Sequence, residues 1–153
     1  MSQTEVPPAY LPYGRPIELA AALTVIAAAT AECARRDWPM AVAVADSTGH
    51  LVAVHRMDQT QHAGIALAIE KALSAVSYRR STIMLEDALS SGGANLRLLA
   101  MRDALPVAGG VPLVDEGALI GAVGVSGMQA AQDQEIAIMA AKALPGTGHG
   151  SHD

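Results

Sequence analysis

Apolar residues in the first third of the chain recur at helical spacing. Leu19, Leu23, Ile26, Thr30 and Cys33 fall on one stripe, and Pro16 suits the first turn of a helix running to about Asp37. The other faces of that helix are mostly alanine, so it can approach neighbours on more than one side. The period then drops to two. Met40 to Asp46 alternates large and small side chains, and a second β-rich run, Leu51 to Asp58, follows the turn Ser47-Thr48-Gly49-His50, which predicts a β-hairpin. In its second strand Leu51, Ala53, His55 and Met57 share one face, and Val52, Val54, Arg56 and Asp58 share the other. Thr60 to Arg80 returns to the helical period, with His62, Ile65, Ile69, Leu73 and Val76 as its stripe and Lys71 away from it. Thr82 to Ser90 and Asn95 to Leu105 read as shorter helices around Ser91-Gly92-Gly93. Val107 to Val114 and Leu119 to Ser126 read as a second hairpin across Asp115-Glu116-Gly117, and Gly121 and Gly124 leave space for a close neighbour. Asp133 suits the cap of a last helix whose inner face is Ile136, Met139 and Ala143.

The order helix, hairpin, helices, hairpin, helix predicts an α+β domain with an antiparallel sheet. A doubly wound fold needs strict strand–helix alternation, which this chain lacks. Three prolines, Pro7, Pro8 and Pro12, make residues 1–15 read as a flexible arm, and the Gly-rich run after Pro145 makes 145–153 read as a flexible tail. A single domain fills 16–144.

Composition narrows the class. The chain has 153 residues, of which 51% are hydrophobic and 16% charged, so it can bury a core and is not disordered over most of its length. Net charge is -5, aromatic residues are 3% and Phe is absent. With no basic patch and few rings for base stacking, nucleic acid is excluded as a partner. Cys33 is the one cysteine, which excludes an internal disulfide and a cysteine-only metal cage. Leu19 to Ala31 is too short to cross a bilayer, and Met1 to Tyr13 does not read as a secretory signal. The expectation is a soluble, cytoplasmic protein without a membrane partner.

Three segments together carry a family resemblance. The first is Val44-Ala45-Asp46, Gly49-His50-Leu51-Val52-Ala53 and Arg56-Met57-Asp58. The second is Ile69-Glu70-Lys71-Ala72 with Ser74-Ala75. The third runs from Gly109-Gly110-Val111-Pro112-Leu113 through Leu119-Ile120-Gly121-Ala122-Val123-Gly124-Val125-Ser126-Gly127 to Asp133-Gln134-Glu135-Ile136-Ala137. As an ordered set they resemble the GlcG/HbpS-type haem-binding (haem-degrading) family, and are similar to the C-terminal domain of PduO-type corrinoid adenosyltransferases. The resemblance covers about residues 16 to 144. It implies a profilin-like fold, with a five-stranded antiparallel sheet flanked by α-helices. It also implies a homo-oligomer, an octamer in some members, and haem as cofactor.

The residues themselves offer several chemistries. Gly109, Gly110, Ser126 and Gly127 could present backbone N–H groups to an anion beside the last helix, or could merely shape turns and packing. Arg56 suits bidentate contact with a carboxylate, and Lys71 offers a compact charge. Asp58 suits an ion pair with either. His55 and His62 are the candidate haem-iron ligands, although a partly buried, backbone-bonded histidine is the commoner outcome. His149, His152 and Asp153 form at most a loose clip in the tail, and no metal site is expected.

Two functions are consistent with this set. One is a haem- or tetrapyrrole-binding accessory protein, oligomeric, in which His55 or His62 holds the iron while Arg56, Lys71 and the Ser126-Gly127 amides hold propionates. The alternative is a cofactor-independent enzyme (an isomerase, hydratase or decarboxylase) acting on a small organic or aromatic-derived acid, with Lys71, Asp58 and His62 as catalytic residues. Both require the cations and the bare main-chain donors to converge on one hollow.

Overall fold

The computed structural model describes residues 11–146. Four strands and four α-helices follow one another as α1 (Leu19–Arg36), β1 (Ala41–Asp46), β2 (Leu51–Arg56), α2 (Ala63–Tyr78), α3 (Thr82–Ser90), β3 (Gly110–Asp115), β4 (Ala118–Ser126) and α4 (Ala130–Lys142). A 3₁₀ turn, Gly93–Ala100, follows α3. The segment 95–105 expected to be helical is therefore only partly so, and in the tighter form.

The strands form one antiparallel sheet in the order β2-β1-β4-β3. The α+β class with an antiparallel sheet flanked by helices is thus what the chain adopts. The strand number differs from expectation: the sheet has four strands among the described residues, not five. The segment before α1 shows why a further ladder does not develop. Tyr13 makes a single parallel bridge with Leu119, where Leu119 N donates to Pro12 O and Gly14 N donates to Leu119 O. Beyond Leu119 both edges of β4 are already taken, with Gly121 paired to Asp46 of β1 and to Leu113 of β3. From Leu11 onward the expected arm is therefore docked, and Tyr13 Oη donates to Val76 O at 2.7 Å. Most of the arm and nearly all of the tail, including His149, His152 and Asp153, lie outside the described residues.

Alternation along the strands sorts the core into two faces. Val42, Val44, Val123 and Val125 face α1 and α4, where Val25, Ile26, Ala29, Cys33, Ile136 and Ala140 are buried with them. Ala41, Ala43, Ala45, Ala122 and Gly124 face α2. A Cβ on Gly124 would stand 1.9 Å from Ala68 O and 2.7 Å from Ala72 N, so the α2 backbone lies directly on the strand. The close neighbour expected at Gly124 is this helix.

That close approach also moves the buried face of α2. The large side chains of the expected stripe, Ile65, Ile69 and Leu73, are only half-buried at its flanks. Gly64, Ala68, Ala72 and Ala75 face the sheet instead, because small residues on both surfaces allow contact near the backbone. In α1 the same substitution occurs. Leu19 and Leu23 are exposed, and Ala22, Val25, Ile26, Ala29 and Cys33 are buried. No helix among the described residues is long and apolar enough to cross a membrane.

Candidate functional site

Lys71 is 1% exposed and is among the largest fully buried side chains. Its Nζ donates to Asp133 Oδ2 at 2.8 Å and to Val125 O at 3.0 Å. Asp133 Oδ1 accepts the Met128 amide at 3.0 Å, just before α4 begins. The helix N-terminus that was expected to attract an external anion thus already holds an internal one. Burial pushes the Asp133 carboxyl above its usual range, and the hydrogen bonds from Lys71 and from the Met128 and Gly127 amides pull it back only in part. The cap expected at Asp133 is displaced by one turn: Gln129 precedes the helix, and its amide donates to Gln132 Oε1 at 3.0 Å.

Gly109 and Gly110 complete this buried cluster. Gly109 has φ +127°, and a Cβ there would stand 2.9 Å from Lys71 Nζ and 2.6 Å from Val125 O. Only glycine leaves the ammonium its place. Their amides are not bare. Gly109 N donates to Gln134 Oε1 at 3.0 Å, and Gly110 N donates to Thr82 Oγ1 at 2.9 Å. Ser81 Oγ donates to Gly110 O at 2.9 Å. Every buried side-chain nitrogen and oxygen among the described residues has a partner. The cluster is a satisfied polar network, closed to solvent.

The remaining candidates lie elsewhere. Arg56 and His55 are exposed at the end of β2. Register places Arg56 opposite Ala41 and His55 opposite Val42, so the two side chains leave opposite faces of the sheet. Ser126 is buried and pairs with Ala41 on its other side, which puts Arg56 and Ser126 two strands apart, about 10 Å. Asp58 and His62 are exposed in the connection to α2. Lys71 lies nine residues beyond His62, about 13 Å along the helix axis. The structure therefore assembles Lys71, Gly109 and the amides before α4, and leaves His55, Arg56, Asp58 and His62 outside that assembly. The shared hollow expected between Arg56 and Lys71 is replaced on the Lys71 side by the Asp133 carboxylate.

Asp133, Gln134 and Thr82 were not among the candidates. Lys71 amid small residues signalled the need for a partner, and Asp133-Gln134 stands in the third motif segment, but nothing local joins positions 62 residues apart. No group of three or more potential metal ligands occurs among the described residues.

Comparison with known proteins places this geometry in a family. The model of the haem degrading protein HbpS-like family matches residues 17–142. The chain belongs to the HbpS-like family. Protein GlcG of Escherichia coli strain K12 is 39% identical over 105 residues, covering 69% of this chain and 77% of GlcG. Among solved structures, Klebsiella pneumoniae protein ORFY superposes with a TM-score of 0.81 at 28% identity, covering 86% of this chain and 92% of ORFY. The PduOC–haem complex superposes with a TM-score of 0.77 at 27% identity, covering 84% of this chain and 95% of PduOC. The HbpS-like match spans both the Lys71 segment and the Gly109-to-Asp133 segment, so the buried network lies wholly inside the family region.

Proposed function

We propose that this chain is a cytoplasmic haem- or tetrapyrrole-binding accessory protein that works as a homo-oligomer with a profilin-like fold. The observation that carries the reading is its likeness, over most of both chains, to a relative solved with haem. The accessible imidazoles support it. His55 is exposed near the end of β2 and His62 is exposed just before α2, where a neutral imidazole could reach iron. Arg56 lies between them in sequence and has no ion-pair partner among the described residues, which suits it to a propionate. In this reading Lys71, Gly109, Gly110, Ser126 and Gly127 hold the scaffold behind the ligand rather than touching it. Self-association is supported by α1, whose residues 19–31 carry no charge although Leu19 and Leu23 are exposed.

A hemin titration followed by Soret absorbance tests the function. The expected result is a shifted, saturating band in the wild type that His55→Ala/His62→Ala weakens. Absence of any shift in the wild type overturns haem binding; a shift untouched by the double variant overturns the two ligands alone. Light scattering on a sizing column tests the assembly, and a strict monomer at micromolar concentration overturns it.

A further inference from the structure

We propose that a cleft between the C-terminal end of α2, α3 and the 3₁₀ turn binds a small organic anion: a carboxylate on an apolar body. The cleft has a volume of about 240 Å³. Its walls include the Tyr78 ring, Met84, Leu98 and Met101, and Arg80 and Arg97 also line it. Met84 and Met101 are 54% and 38% exposed, so this apolar surface is open to solvent rather than closed into the core.

The charges give the cleft a direction. Both arginines are exposed, and neither meets a carboxylate among the described residues. Arg80 Nε donates to Tyr78 O at 2.9 Å, which anchors the side chain and leaves its terminal NH₂ groups for a ligand. Glu86 of α3 could have neutralised the site. Instead Glu86 Oε1 accepts the Ala108 amide at 3.3 Å, and neither Glu86 nor Asp87 is among the residues lining the cleft. On a chain of net charge -5, two unpaired guanidiniums beside an apolar cleft select an anion with a hydrophobic tail.

Size restricts the class further. The cleft is smaller than the roughly 300–1,000 Å³ that encloses a drug-sized ligand, so it cannot enclose a whole porphyrin. An aromatic or medium-chain monocarboxylate fits the description. Methionine thioethers can adapt to either shape. The cleft is formed at the opposite end of α2 from His62, so this proposal does not rest on haem binding.

The test is a titration of the ¹⁵N-labelled full chain with benzoate, phenylacetate and octanoate, with benzamide, phenylacetamide and octanamide as neutral counterparts. At least one carboxylate shifts the amides of residues 84–101 to saturation, and its amide counterpart binds at least about fivefold more weakly. Arg80→Gln/Arg97→Gln weakens the carboxylate by about tenfold or more while the rest of the spectrum is retained. Three carboxylates that leave these amides unmoved overturn the proposal. Equal affinity for acid and amide in the wild type overturns it without recourse to a variant. An unchanged affinity in the double variant overturns it as well.

Discussion

Lys71 Nζ and Asp133 Oδ2 lie 2.8 Å apart although their helices cover opposite faces of the sheet. The pair joins α2 to the start of α4 beside the Gly109 backbone, so it fastens the two helical layers to one another. Removing one partner leaves the other charge buried without compensation. Lys71→Met alone is expected to cost about 3–5 kcal/mol. Lys71→Met/Asp133→Leu is expected to cost less than the sum of the two single changes, because it strands no charge. Urea denaturation of the four proteins in the cycle measures this. Additive losses would mean that the pair is not coupled.

Gly124 has a different function from the glycines of the turns. Gly124→Ala pushes a methyl into the Ala68 carbonyl at 1.9 Å and forces α2 off the sheet. The expected loss is at or above the top of the roughly 1–3 kcal/mol range for overpacking. Gly93→Ala meets no atom within 4 Å and carries only the strain of φ +60°, a cost of about 1 kcal/mol. Denaturation midpoints should rank wild type, Gly93→Ala, Gly124→Ala, and a reversal of the two variants would contradict the close packing of α2.

Two carboxyls make opposite contributions to acid stability. Hydrogen bonds from Arg35 and Arg36 hold the Glu32 carboxyl down from 4.5 to about 2. Its stabilisation is complete above pH 4.5 and is lost as pH falls toward 2. Burial raises Asp133 above 3.8, so its contribution is complete below pH 3.8 and is lost as pH rises through the folded-state value. Thermal melts of Glu32→Gln should therefore converge on wild type near pH 2 and diverge between pH 2 and 4.5. The deficit of Asp133→Asn should be larger in acid than at neutral pH. A deficit in Glu32→Gln that does not change with pH would show that its arginine contacts persist without the charge.

The hairpins were legible because the apolar period is two on both sides of a short turn, and Ala41–Asp46 and Leu51–Arg56 pair as that pattern requires. The helices were legible as helices, but their buried faces were not. Periodicity weighs Leu19, Leu23, Ile65 and Ile69 above alanine, whereas the Ala- and Gly-rich sheet face at Ala41, Ala43 and Gly124 favours small residues in contact. Pattern alone cannot say that two small-residue surfaces will meet. The site divides in the same way. The motif segments around Lys71, Gly109 and Gly127 do converge, yet the anion they gather is Asp133, a residue whose distance in sequence hides the pairing. Arg56 and the histidines stayed outside because a strand end and a loop present side chains to solvent.

Cys33 reports on the opening of α1. Its side chain is wholly buried, and Sγ lies 3.6 Å from Met40 Sδ. Burial, together with the nearby Asp133 and Glu32 charges, raises the thiol to about 11. At pH 8 about one part in a thousand would be thiolate even if reagent could reach it. Ellman's reagent is therefore expected to leave the native chain unlabelled. Rising urea should bring labelling in step with the loss of helical circular dichroism. Cys33 would then react only after α1 leaves Met40, Val42 and Ile136, core residues buried with it on that side of the sheet. Labelling at a rate independent of urea would instead place α1 in a separate, weaker cooperative unit.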